Sequence, residues 1–168
     1  MTATRALALG VWQADVTRST ASFEVGNLGR KTHGTVPVTA GTVEIGTDGT
    51  LLAAHGTLDL GAIDTGNTKR DQDLRKPGLL DLDRHPSMTF TATSARTTGD
   101  GWQVTGTLAA RGTETVLDGT VALSSEDGQV VMTATARLDR RTLGIRAPGF
   151  LIGRYVDITV TAVITHSA

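Results

Sequence analysis

Trp102-Gln103-Val104-Thr105-Gly106-Thr107-Leu108-Ala109-Ala110 is the stretch that decides the fold. Trp102, Val104, Gly106 and Leu108 alternate with Gln103, Thr105 and Thr107. A period of two gives a strand one apolar and one polar face. The pattern recurs on both sides. Met88, Phe90 and Ala92 alternate with Thr89, Thr91 and Thr93, and Val130, Met132, Ala134, Ala136 and Leu138 form another apolar set. Val156, Ile158, Val160, Ala162 and Ile164 form a third, and Ala21, Phe23 and Val25 alternate with Thr20, Ser22 and Glu24. Asp48-Gly49, Asp100-Gly101 and Asp127-Gly128 each separate two such runs. Asp-Gly supplies the positive φ angles of primed hairpin turns, so neighbouring strands are expected to be antiparallel. Asp118-Gly119 lies inside a run and is expected as a bulge or kink.

About eight to ten runs of this kind, several of nine or more residues, make a sheet large enough to gain by closing on itself. The fold class expected is all-β: an extended antiparallel barrel of about eight strands. One polar segment interrupts the alternation, Thr65 to Arg84, stopped by Pro77-Gly78. Its residues from Thr68 to Lys76 suit a helix of about two turns across one end of the barrel. Many apolar-face positions are small: Ala21, Ala54, Gly56, Ala92, Gly106, Ala134, Ala136 and Ala162. Small residues facing inward leave room for an apolar ligand; equally, they let two sheet faces pack tightly. Periodicity leaves both readings open.

The 168 residues suit one domain, with 1–11 expected as a leader and 12–168 as the barrel. There is no cysteine, so neither disulfides nor thiolate metal sites are available. A net charge of −1 with scattered basic residues speaks against nucleic acid as a partner. The apolar stretch from Ala6 to Trp12 behind Arg5 is short for a signal core and lacks a small-x-small cleavage site. It reads as an entry into the first strand, and the expected compartment is the cytoplasm.

The polar interruption reads Asp64-Thr65-Gly66-Asn67-Thr68-Lys69-Arg70-Asp71-Gln72-Asp73-Leu74-Arg75, then Leu79-Leu80-Asp81, then His85-Pro86-Ser87-Met88-Thr89-Phe90. This string resembles the central signature of the YceI-like family. Trp12-Gln13-Ala14-Asp15 with Ser19 and Phe23, Gly106-Thr107-Leu108 with Arg111-Gly112, and Arg140-Arg141-Thr142-Leu143-Gly144-Ile145 resemble its other landmarks. The likeness extends over about Trp12 to Ile164. It implies a lipocalin-like barrel enclosing a polyisoprenoid or other long-chain amphiphile, without catalysis. Arg18 and Asp73 stand where the family usually has His, and Leu79-Leu80 replaces an aromatic pair. Relatives include dimers, so a homodimer stays among the expected assemblies. No cofactor is expected beyond a bound lipid. The alternative is a ligand-free structural or interaction barrel with a filled core.

The residues expected to face a ligand in the lumen are Phe23, Val25, Leu28, Met88, Phe90, Trp102, Val104, Leu108, Met132, Phe150 and Tyr155; ordinary core packing is the competing reading for each. Phe150-Leu151-Ile152, flanked by Pro148-Gly149 and Gly153, is an apolar triplet in a loop and a candidate lid. Asn67, Arg70, Asp71 and Leu74 are read as structural, tying the helix to the rim, with Arg70 against a lipid head as the rival reading. Asp71, Asp73, Asp81 and Asp83 lack the glycine and terminal glutamate of a calcium loop. His33, His55, His85 and His166 are too widely spaced for a zinc site. No nucleophile–base constellation is visible, so no catalytic residue is expected.

Overall fold

The computed structural model describes residues 7–27, 30–145 and 152–167. Nine strands follow in order: β1 (Gly10–Ala14), β2 (Thr20–Asn27), β3 (Arg30–Ile45), β4 (Leu51–Asp59), β5 (Ser87–Thr97), β6 (Gly101–Ala110), β7 (Thr113–Glu126), β8 (Gln129–Asp139) and β9 (Ile152–His166). All pairings are antiparallel, and the order β3-β2-β9-β8-β7-β6-β5-β4 closes through β4 on β3. This is the eight-staved barrel that the alternation predicts. β1 begins at Gly10, two residues ahead of the boundary read from the sequence.

One stave is made of two strands. β1 and β2 both lie between β3 and β9, end to end. The break at Asp15–Ser19 is closed by local hydrogen bonds. Asp15 accepts from the Thr17 backbone N–H at 3.0 Å and hydroxyl at 2.6 Å. Ser19, buried in the break, gives its hydroxyl to the Asp15 carbonyl and accepts from the Val163 N–H at 3.2 Å. A side chain thus satisfies a β9 amide that the interrupted strand cannot reach.

The turns partly follow the sequence reading. Asp127-Gly128 is a two-residue hairpin with φ of 52° and 79°, and Asp48-Gly49 turns with 59° and 74°. Asp100-Gly101 joins β5 to β6, but neither residue is in the left-handed region. Gly101 is required for closeness instead: a β-carbon there would lie 2.0 Å from the Val121 carbonyl oxygen. Arg111-Gly112, with φ of 57° and 70°, is a hairpin turn that no Asp-Gly announces. Asp118-Gly119 is not a bulge, because β6 and β7 stay in register through it. The irregular positions fall elsewhere, in the β2–β9, β3–β4 and β5–β6 pairings.

Two apolar clusters fill the ends of the barrel. At the helix end, Val36, Leu58, Leu60, Leu82, Leu108 and Leu143 pack together. At the other, Leu7, Val43, Ile45, Leu51, Trp102 and Ile164 do so, and Trp102 donates its indole N–H to the Gly49 carbonyl at 3.1 Å. Phe90 packs against both. Its ring lies across Gly106, whose missing β-carbon would sit 2.4 Å from Phe90 Cζ and 2.5 Å from the Thr91 carbonyl oxygen. The ring could turn away from a methyl group; the backbone oxygen could not. Gly106→Ala is therefore expected to cost about 1–3 kcal/mol, read as a lower urea midpoint at unchanged slope.

α1 (Thr68–Leu74) is the short helix expected at one end. Asn67 caps it, accepting from the Arg70 N–H at 3.0 Å. Asp71 accepts from the Thr65 hydroxyl at 2.5 Å and amide at 3.1 Å, while Arg70 donates to the Thr65 hydroxyl at 2.9 Å and carbonyl at 2.7 Å. Asp64 in turn bridges to Thr35 of β3 through both backbone groups. Asn67, Arg70 and Asp71 thus engage one another and the strand-connecting chain. Leu74 is half-buried, and its carbonyl accepts from Leu80 at 3.0 Å.

The outer face near the end of β8 carries a charge cluster. Asp139 lies 2.9 Å from Arg154 Nε and 3.4 Å from Arg141 Nε. Burial alone would raise the Asp139 carboxyl, but hydrogen bonds from Arg154 and from the Arg141 backbone and side chain outweigh it, and its pKa lies below the ordinary value. Asp157 is lowered by its hydrogen bond from Arg137. A folded-state pKa below the unfolded one gives stability that is fully present above the ordinary carboxylate range and is lost as pH falls through the folded value. Thermal midpoints should hold from neutral pH to about 5 and fall below about 4. Asp139→Asn should flatten that acid limb; an unchanged limb would show that the cluster does not contribute.

Candidate functional site

Between the two apolar clusters the barrel is hollow. A cavity of about 180 Å³ runs from Leu51, Trp102 and Ile164 at one end to Leu58, Leu108 and Leu117 at the other. Along β6 this is seven residues, roughly 20 Å of strand. The small residues expected to face inward are largely here: Ala54, Gly56, Ala134, Ala136 and Ala162 border it, joined by Ala14, Ala40, Gly41 and Gly119. Every second residue of β8 and β9 presents to the hollow because the pleat alternates.

The wall is almost wholly apolar. His55 borders the space, and its Nδ1 lies 2.9 Å from the Thr91 hydroxyl of the neighbouring strand. No carboxylate, lysine or arginine borders it. Among the described residues, no three of His, Asp and Glu converge to hold a metal ion. The carboxylates of the polar segment are engaged separately: Asp73 with Lys76 at 3.1 Å, Asp83 with Arg75 at 2.9 Å, and Asp71 with Thr65. Chemically the hollow can exclude water and hold hydrocarbon.

The expected lumen residues divide. Met88, Phe90, Trp102, Val104, Leu108 and Met132 border the cavity. Phe23 packs into the helix-end cluster instead, and Val25 is half-buried without reaching the hollow. Tyr155 is a correction. It is 45% exposed on the outer face, between the guanidinium carbons of Arg154 and Arg137 at 5.1 and 5.7 Å from its ring centre. Its parity excludes it, since Val156, Ile158 and Val160 are the inward set of β9. Leu28, Phe150 and Leu151 lie outside the described residues, and with them the candidate lid. Trp12 was not singled out for the lumen, yet it borders the cavity and stacks on His166 with ring centres 4.9 Å apart. Its place in β1, alternating with Val11 and Gln13, was the available signal.

Comparison with known proteins agrees with this architecture. The family model described as YceI-like domain matches residues 12–164. Among curated proteins, a UPF0312 protein of Pectobacterium atrosepticum is 36% identical over 55 residues, 33% of this chain and 29% of that protein. Protein YceI of Escherichia coli is 39% identical over 51 residues, 30% of this chain and 27% of that one. The matched stretches thus span under a third of these relatives. Among solved structures, Burkholderia cenocepacia BcnA superimposes with a TM-score of 0.81 at 16% identity, over 90% of this chain and 99% of its own. A polyisoprenoid binding domain from Saccharophagus degradans, implicated in plant cell wall breakdown, gives 0.69 at 15% identity, over 95% and 100%. These two likenesses are likenesses of fold.

Proposed function

The chain belongs to the YceI-like domain family, and from that membership and the hollow in its barrel we propose that it binds a long-chain apolar lipid, a polyisoprenoid or similar amphiphile, so as to store or carry it. The observation that carries the reading is the elongated, apolar cavity held open between two packed clusters. Ten carbons moved from water onto such walls gain roughly 8 kcal/mol before the cost of immobilisation, so chain length governs affinity. Met88 and Met132 at the wall are unbranched and can turn to follow a longer chain. The polyisoprenoid binding domain from Saccharophagus degradans shares the fold and supports this ligand class. The role proposed is binding, not catalysis.

Purified protein extracted with organic solvent is expected to release a long-chain lipid identifiable by mass spectrometry. Protein that releases none, and that takes up no polyprenol or fatty alcohol when offered, would leave the alternative of a ligand-free barrel.

A further inference from the structure

We propose that the amphiphile enters the barrel sideways, through the seam between β7 and β8 at Gly119 and Ala136, and leaves an uncharged polar head in the groove outside. This rests on the lipid reading of the interior and adds a route and a head-group chemistry. The β7–β8 ladder runs from Glu126↔Gln129 to Gly119↔Ala136 and stops there. Yet β7 extends back to Thr113 and β8 on to Asp139. The seams on either side keep their register: β6–β7 to Ala110↔Thr113, and β8–β9 to Asp139↔Tyr155. β7 and β8 therefore part into a wedge whose apex is Gly119 and Ala136, with the turn Arg140–Leu143 packed against β7 beyond it.

At that apex the inside and the outside are closest. Gly119, Thr120, Thr135, Ala136 and Ile158 border both the cavity and an outer groove of about 490 Å³. One of the two apex residues has no side chain and the other only a methyl group. Entry through either end would instead displace fully buried residues: Leu60, Leu82 and Leu143 at the helix end, Ile45 at the other. Extending the wedge begins at the next rung, Thr120 opposite Thr135, whose hydroxyls lie 2.8 Å apart on the surface.

The groove decides the head. Its charged residues are Asp118, Arg137 and Asp157. Arg137 is already held by Asp157 at 2.8 Å, and Asp118 accepts from the Thr105 hydroxyl at 2.7 Å. One positive and two negative groups leave −1, which repels an anionic head. A hydroxyl finds Thr120, Thr135 and Gln103 as partners. The class is thus a long-chain alcohol rather than its phosphate.

Thr120→Cys with Thr135→Cys staples the rung in a chain that has no other cysteine. Both tryptophans, Trp12 and Trp102, border the cavity and report filling by their fluorescence. Stopped-flow mixing with farnesol is expected to show uptake at least about tenfold slower in the oxidised form than in the same variant after reduction. Farnesyl phosphate should bind about tenfold more weakly than farnesol. Should the staple not form, Thr120→Cys carrying a bulky maleimide obstructs the same seam and must slow uptake likewise. Equal rates with the seam free and obstructed, or a preference for the phosphate, would overturn the proposal while leaving the lipid reading intact. Failure of both probes to alter the fluorescence of any form would overturn the lipid reading itself.

Discussion

Arg140→Met is expected to lower the unfolding free energy by roughly 3 kcal/mol, since it strips donors from two carbonyls at about 1–3 kcal/mol each. For a chain of this size that is a fall of about 6–12 °C in the thermal midpoint, measurable by circular dichroism. Arg140 is only 5% exposed, at the start of the 3-10 turn Arg140–Leu143. Its Nε donates to the Gly153 carbonyl and another guanidinium nitrogen to the Ile145 carbonyl, both at 2.9 Å. One planar fork thus ties the chain after β8 to the start of β9. Methionine keeps the length and apolar stem but cannot donate. Arg140→Lys keeps the charge as a single point and should recover less than half of the loss, because lysine lacks the fork. A loss under about 1 kcal/mol for the methionine variant would mean that water replaces the guanidinium at this site.

The residue was visible in the sequence only as part of a family landmark. Its role was not, because a buried arginine is legible only once the carbonyls that surround it have been placed. The barrel itself was legible for the opposite reason. The alternation in β5, β6, β8 and β9 is strictly local, and a period of two fixes which residues share a face before any partner is known. Six of the eleven expected lumen residues border the cavity on that ground alone. Tyr155 shows how the same rule corrects an error: aromatic character suggested the interior, but parity puts it beside Asp139 on the outside. Glycines were the least legible. Gly101 and Gly119 stand where an Asp-Gly pair signals a turn or a bulge, yet each serves close approach of a neighbouring strand's backbone. Nothing in local sequence separates a glycine needed for φ from one needed for space. Likewise the broken stave of β1 and β2 depends on Ser19 meeting Val163, 144 residues away.

Ala134→Phe should abolish chain binding while leaving the apo protein as stable as before or more so, and that combination distinguishes a hollow barrel from a filled one. Ala134 borders the middle of the cavity on β8, paired with Val121 of β7 and Val160 of β9. An aromatic ring there projects into the void. In a packed core the same substitution would cost about 1–3 kcal/mol of strain. In a void, eliminating half of the 180 Å³ returns about 2 kcal/mol at ~24 cal/mol per Å³. Imperfect fit of the ring in the void offsets part of that return, so the expected change in unfolding free energy is between zero and a gain of about 2 kcal/mol. Binding cannot share that fate, since the ring takes up cavity space that the chain would fill. The variant should therefore lose all lipid on solvent extraction and show no tryptophan response to farnesol, at an undiminished thermal midpoint. A drop of several degrees would place packed side chains where the cavity is, and retained lipid would place the chain elsewhere than beside Ala134.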